Sequence, residues 1–274
     1  MILFPYAKIN LGLNVVRKRP DGYHDIESVL VPIPLRDALE AVVDPSLGEG
    51  SMLYARSGLD IPGDPSADLC MKAVVAIRER VALPGLRLHL HKRIPMGAGL
   101  GGGSSDGAHT LLLLNDLLEL DLKQQELLDL ASGLGSDCPF FLGPGPQLAT
   151  GRGEVLEPVS LDLNGLWLVL VNPGVHVPTS AAFFHTPSTG RSFNITDVLL
   201  NEPMERWRAL APNIMENHVF STWPIVADVL ERIQRAGAAH AAMSGSGSTV
   251  FGLFRAKPPA FEWPTAYSCW TFRL

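Results

Sequence analysis

The sequence predicts a globular chain of mixed strands and helices in two domains, and three observations carry that expectation. Its 274 residues, 46% hydrophobic and 18% charged, can bury one long core or two of ordinary size. Period-2 apolar runs, the mark of half-buried strands, stand beside i, i+4 apolar rows, the mark of helices. Between one such strand and one such helix lies Pro95-Met96-Gly97-Ala98-Gly99-Leu100-Gly101-Gly102-Gly103-Ser104-Ser105-Asp106, where five glycines fall within seven residues.

The first strand covers residues 6–16, with Ile9, Leu11, Leu13 and Val15 on one face and Lys8, Asn10 and Asn14 on the other. On the pattern alone, Lys8 and Asn10 are expected on a solvated face. Arg17 to Gly22 form a basic turn with a Pro-Asp-Gly signal, leading through Tyr23 and His24 to a second strand over 26–35. Tyr23 and His24 serve either as turn packing or as a flat surface for a ring ligand, and nothing local decides. A third strand is expected over 38–43, and residues 44–65 read as loop with one short strand.

A helix is expected from a Ser66 cap to about Leu83, its row formed by Leu69, Ala73, Ile77 and Val81. A strand follows over 86–91. His89 and His91 share a face with Arg87, a spacing that can bind a metal, but no third ligand is near in sequence and a solvated or half-packed face is favoured.

In the glycine-rich run, successive backbone N–H groups can turn inward, a concavity that suits an anion. It feeds a helix over about 105–118, so unpaired donors and the helix dipole both favour phosphate there. Gly107 in its first turn costs about 0.5–1 kcal/mol relative to alanine, which points to a close approach. A flexible linker does not fit these flanks. Gly97, Gly99 and Gly102 satisfy a dinucleotide-binding spacing, yet Pro95 interrupts the strand and no acid ends a second strand. The chain has no Gly-Lys-Ser or Gly-Lys-Thr, which excludes a Walker A loop.

A further helix is expected over 123–134, stopped by Gly135, and then comes Ser136-Asp137-Cys138-Pro139-Phe140-Phe141. Asp137 is either an ordinary turn carboxylate or, beside a cation such as Lys8, a general base for a hydroxyl. The pattern changes at about residue 155, giving expected domains of 1–155 and 156–274. Beyond it a strand over 166–171, helical segments between 179 and 236, and a second small-residue loop, Ser244-Gly245-Ser246-Gly247-Ser248, lead into a strand. Two glycine loops, each abutting regular structure, predict two backbones converging on one ligand.

The net charge of -6 gives no general attraction to nucleic acid or anionic lipid, so neither is expected as a partner. Three dispersed cysteines form no disulfide framework, and the absence of a signal segment leads to an expected cytoplasmic protein.

Three blocks, Ala7-Lys8-Ile9-Asn10-Leu11-Gly12-Leu13, Pro95 to Asp106 and Met243 to Phe254, resemble the GHMP small-molecule kinases in order and spacing. Arg19-Pro20-Asp21-Gly22-Tyr23-His24, the triple glycine and Gly135 to Phe141 narrow the likeness to members acting on the cytidine diphosphate derivative of methylerythritol. The resemblance implies an α+β fold with an N-terminal ATP-binding domain, a C-terminal ferredoxin-like domain and an active site in a cleft. It implies transfer of the ATP γ-phosphoryl group, with Mg²⁺, to the tertiary 2-hydroxyl of that small-molecule substrate. Asp137 becomes the base and Lys8 the cation that orients it. The backbone from Pro95 to Ser105 holds the ATP phosphates, Asp68 and Leu69 lie on the adenine side, and Gly245, Ser246 and Gly247 form the second glycine loop. Tyr23 and Phe183 sandwich the cytosine, His24 bonds its edge and Asn10 meets the polyol. A monomer or weak homodimer is expected. Homoserine or mevalonate kinases of the same family, which have no reason for the cytosine clamp, and a non-catalytic nucleotide-binding module, which has no need of the base, are the alternatives.

Overall fold

A computed structural model describes all 274 residues. In chain order the elements open with β1 (Ile2–Leu3), β2 (Tyr6–Lys18), β3 (His24–Arg36), β4 (Ala38–Val43), β5 (Met52–Gly58), α1 (Leu69–Arg78) and β6 (Leu86–Lys92). There follow α2 (Gly102–Leu117), α3 (Gln124–Leu134), β7 (Gln147–Thr150), β8 (Val155–Pro158) and β9 (Trp167–Asn172). The chain ends with α4 (Thr179–His185), α5 (Ile195–Asn201), α6 (Met204–Leu210), α7 (Glu216–Thr222), α8 (Pro224–Arg235), β10 (His240–Met243), β11 (Val250–Phe254) and β12 (Ser268–Arg273). No helix is long and apolar enough to cross a membrane.

Two compact units interleave along the sequence. One comprises Met1–Ala7, Leu35–Met96 and Gly101–Pro144; the other comprises Lys8–Pro34, Gly97–Leu100 and Gly145–Leu274. The first unit carries a four-stranded sheet in the order β1-β4-β6-β5, in which β5 and β6 run parallel and the other pairs antiparallel. Leu39, Ala41, Leu86, Leu88 and Leu90 make its buried face. Along α1, Cys70, Ala73, Val74 and Ile77 are buried. Gly107 explains itself here: a Cβ on it would lie 2.8 Å from the Leu69 Cβ, so α1 and α2 approach more closely than any larger residue allows.

The second unit holds two sheets. One has the order β2-β3-β7-β8, with Ser28 opposite Ala149 and a tight turn at Gly151–Glu154 joining β7 to β8. The other is antiparallel with the order β10-β11-β9-β12, which in chain terms is second, third, first, fourth, the ferredoxin-like arrangement. Its core gathers Val169, Val171, Met215, Val219, Val229, Ile233, Met243, Val250 and Phe254. In place of a second crossover helix, residues 255–267 lie as coil. There Phe261 stacks on Trp263, and Arg232 sits 4.1 Å above the Trp263 ring.

Two sequence expectations change. The helix expected from Ser66 to Leu83 is a short 3-10 turn, Pro65–Ala67, followed by α1 alone, because Asp68 between them is extended (φ −63°, ψ 145°). Gly102 to Ser105 belong to the first turn of α2, three residues earlier than expected. In addition, the chain after Lys257 supplies β12, paired along its length to β9.

Candidate active site

The glycine-rich run is built from alternating left-handed residues: Gly97, Gly99 and Gly101 have φ of 60°, 77° and 68°. Gly97–Leu100 pack within the second unit. The Ala98 carbonyl accepts from Thr249 N at 3.2 Å, and the Leu100 carbonyl from Lys8 N at 3.0 Å. A Cβ on Gly99 would stand 2.0 Å from the Ser244 carbonyl oxygen, and one on Gly245 would stand 3.2 Å from Asn10 Oδ1. The two glycine loops therefore converge on one another, each occupying space a side chain would need.

Lys8 and Asn10 are buried, 4% and 3% exposed, and not on a solvated face as their pattern predicted. The covering segments come from Gly97–Leu100 and from the Ser244 loop, which no local alternation could reveal. Lys8 Nζ donates to Asn10 Oδ1 at 2.6 Å and to the Gly99 carbonyl at 3.1 Å. Ser244 Oγ donates to the same carbonyl at 2.8 Å. Asn10 donates from its backbone to Ser244 Oγ and from Nδ2 to Ser28 Oγ, at 3.2 and 2.8 Å. One hydrogen-bonded cluster thus joins β2, the Gly97–Leu100 segment and the Ser244 loop. Beyond it, Thr179 Oγ1 and Ser246 Oγ are 3.0 Å apart.

In the first unit, Gly101 is the N-cap of α2 and offers no side chain, so the first-turn N–H groups have no intrahelical or side-chain cap. Ser105 is fully buried with its hydroxyl 3.3 Å from His109 Nδ1, so it presents backbone and not hydroxyl to any ligand. Met96 is exposed and packs 3.4 Å from the position of a Cβ on Gly103. Asp137 is half-buried in the turn after α3. Its neighbour Cys138 has its thiol pushed up to about 12, chiefly by burial, while a hydrogen bond with Ser104 opposes the rise and the Asp137 charge adds to it.

A charged triad behind this loop was not singled out by sequence reasoning. Lys92 Nζ, fully buried, lies 2.6 Å from Asp37 Oδ2 and 2.5 Å from Asp106 Oδ2. Asp37 Oδ1 also accepts from the backbone of Arg93 and Ile94. A Cβ on Gly102 would come within 3.0 Å of Lys92 Nζ, so the triad lies directly against the first turn of α2. Burial pushes the Asp106 carboxyl well above the usual range, Lys92 opposing and Asp37 reinforcing. Burial pulls the Lys92 ammonium down, but the two carboxylates outweigh it and the net shift is upward. A signal was available: Lys92 has the inward parity of Leu86, Leu88 and Leu90.

Asp68 Oδ2 accepts from Tyr54 OH at 2.9 Å and from Arg56 Nη1 at 3.3 Å, which fixes the carboxylate just before Leu69. On the other expected ligand face, His24 and Phe183 are stacked, with ring centroids 5.3 Å apart and planes 17° apart. Burial, aided by Lys18, holds the His24 imidazole below its ordinary value, so it is neutral at pH 7. Tyr23 is 58% exposed and lies under Arg152. His89 and His91 share Ser57 Oγ, at 2.8 and 3.0 Å, and no group of three His, Cys, Asp or Glu side chains is arranged to hold a metal.

Comparison with known proteins matches residues 68–145 to the GHMP kinases N-terminal domain and residues 197–262 to the GHMP kinases C-terminal domain. The chain is 45% identical to the 4-diphosphocytidyl-2-C-methyl-D-erythritol kinase of Cytophaga hutchinsonii, covering 96% of the chain and 95% of that protein. Against the enzyme of the same name from Parabacteroides distasonis the identity is 43%, covering 98% and 96%. A crystal structure of 4-(cytidine 5'-diphospho)-2C-methyl-D-erythritol kinase superposes with a TM-score of 0.76 at 33% identity, over 92% of this chain and 90% of that one. Homoserine kinase from Cytophaga hutchinsonii superposes at 0.71 with 16% identity, over 99% and 93%, a likeness of fold.

Proposed function

The chain belongs to the GHMP kinases, and on that premise we propose that it transfers the ATP γ-phosphoryl group to the 2-hydroxyl of 4-diphosphocytidyl-2-C-methyl-D-erythritol, giving the 2-phosphate and ADP. The observation that carries this reading is the cluster in which Lys8, Asn10, Gly99 and Ser244 share hydrogen bonds, because it sets a buried cation against a phosphate-type loop.

Phosphoryl transfer asks the protein for positioning and for charge stabilisation. The backbone of Pro95 to Ser105, with the open N-terminus of α2, receives the phosphates. Lys8 offsets negative charge developing on the transferring group, and Asp137 takes the proton of the acceptor hydroxyl. Asn10 hydrogen-bonds the polyol, while Tyr23, His24 and Phe183 hold the cytosine. Asp68 and Leu69 lie on the adenine side, where the Asp68 carboxylate, kept in place by Tyr54 and Arg56, can accept from an exocyclic amine. Mg²⁺ enters with the ATP phosphates, since this cation is ordinarily held through phosphates and few protein ligands. A cytoplasmic monomer or weak homodimer suits the reaction and the three free cysteines.

The test is ATP consumption by the purified protein with Mg²⁺, comparing the cytidine substrate with homoserine and mevalonate. Turnover of the cytidine compound alone is expected. Turnover of one of the others in its place would transfer the assignment to that kinase, and silence with all three would make the chain a binding module.

A further inference from the structure

Arg152 is not among the residues that the resemblance assigns to a site, yet it is fixed against one of them. It occupies the turn between β7 and β8, flanked by Gly151 and Gly153, whose φ values of 65° and 115° make the turn tight and leave Arg152 projecting. Glu154 accepts from the Arg152 backbone at 2.6 Å and from its Nε at 3.3 Å, which sets the direction of the guanidinium. The turn is anchored to β3 by Ile26 N donating to the Gly151 carbonyl at 2.7 Å, two residues beyond His24. Thus held, the Arg152 Cζ lies 5.1 Å from the centroid of the Tyr23 ring.

Tyr23 is held from below as well. Its backbone N–H donates to Asp21 Oδ1 at 3.1 Å, and its carbonyl accepts from Arg19 N at 2.8 Å. A ring whose backbone is fixed and one of whose faces is covered by a cation has the opposite face left for a partner, and Tyr23 as a residue is 58% exposed. Leaving so large an aromatic surface uncovered costs hydrophobic free energy, and the opposite face is a platform for a planar partner.

We propose that Arg152 is a positioning residue for specificity: by covering one face of Tyr23 it presents the opposite face as the stacking platform for the substrate's pyrimidine ring. This rests on the reading of the chain as a kinase of a cytidine substrate. Arg152 touches neither the acceptor hydroxyl nor the ATP phosphates in this role, so its effect falls on binding of the cytidine end. A lysine at the position keeps a cation over the ring, though without the planar stacking of guanidinium, and therefore keeps part of the effect.

The experiment measures kinetics with the cytidine substrate, and calorimetric binding of CDP, for wild type, Arg152→Ala, Arg152→Lys, Tyr23→Ala and the double variant Tyr23→Ala with Arg152→Ala. Arg152→Ala is expected to raise KM and the CDP dissociation constant roughly three- to tenfold, with kcat and the KM for ATP changed less than about twofold. Arg152→Lys should recover part of the loss. In the Tyr23→Ala background, removing Arg152 should cost nothing further, which a purely structural turn residue would not reproduce. Unchanged CDP affinity in Arg152→Ala, or losses that add in the double variant, overturns the proposal while leaving the kinase reading intact. Failure of wild type to phosphorylate the cytidine compound overturns the kinase reading itself. If wild type still binds CDP and Arg152→Ala weakens that binding, the role of Arg152 stands without it.

Discussion

Gly99 and Ser244 are in such close register that the position of a Cβ on Gly99 lies 2.0 Å from the Ser244 carbonyl oxygen. Two loops distant in sequence are therefore matched to within one methyl group. The contact also places the Gly99 carbonyl where both Lys8 Nζ and Ser244 Oγ reach it.

Gly99→Ala meets two obstacles, the overlap with Ser244 and a left-handed backbone that a Cβ disfavours. We expect the KM for ATP to rise at least about tenfold and the melting temperature to fall by several degrees. Steady-state kinetics and a thermal melt check both, and wild-type values would show that the loop is not held by this contact.

Asp137→Asn removes a proton acceptor with little change in shape. The expected result is a loss in kcat of about a hundredfold or more with ATP binding nearly unchanged. Lys8→Met, which deletes the buried cation, should lower kcat as well. Single-turnover assays beside nucleotide titrations separate chemistry from binding, and wild-type turnover by Asp137→Asn would remove it as the base.

Lys92→Met strands two carboxylates in a dry interior, with Lys92 and Asp37 side chains fully buried and Asp106 4% exposed. Breaking a buried ion pair from one side costs on the order of 3–5 kcal/mol. Denaturant unfolding should register a loss of that size, and a loss below about 1 kcal/mol would mean that the triad contributes little to the base of the loop.

His240 gives the fold an acid sensitivity of known direction. It is 4% exposed, its two ring nitrogens have no partner, and Trp207 and Phe251 flank it. Burial first, then the Arg208 charge, holds its pKa down at about 3, against 6.5 for the free side chain. Below pH 6.5 the unfolded chain takes up a proton that the native state refuses. The stabilisation is complete above that value and declines as pH falls toward 3. Between pH 7 and pH 5 the loss is about 2 kcal/mol. Denaturant curves at the two pH values should show it in wild type and not in His240→Phe, and equal slopes for both would sink the assignment.

The strands β2, β3, β4, β6 and β9, the helix-forming rows and the glycine-rich run are legible in the sequence because each depends on local periodicity or on backbone freedom, whereas the short β1, β7, β8 and β10 carry too few residues to show a period. Lys8 and Asn10 were misread for a physical reason: the atoms that bury them belong to Gly97–Leu100 and Ser244, and alternation within β2 carries no trace of these segments. The strand Ser268–Arg273 is hidden for a similar reason: its partner β9 lies about a hundred residues earlier in the chain, and nothing local in the segment points to it. Lys92 could have been found, since a lysine on the apolar parity of a strand demands a counter-charge.

The interleaving of the two units bears on how the chain is made. Ser28 on β3 pairs with Ala149 on β7, a separation of 121 residues (149 minus 28). As the polypeptide emerges from its N-terminal end, the β3 edge meets that partner only after more than a hundred further residues have been synthesised. In that interval an unsatisfied strand edge is free to pair with a neighbouring chain. The newly made protein is therefore most vulnerable to aggregation in the interval before β7 is added, and temperature or crowding during expression should affect yield more than the finished fold's stability alone implies.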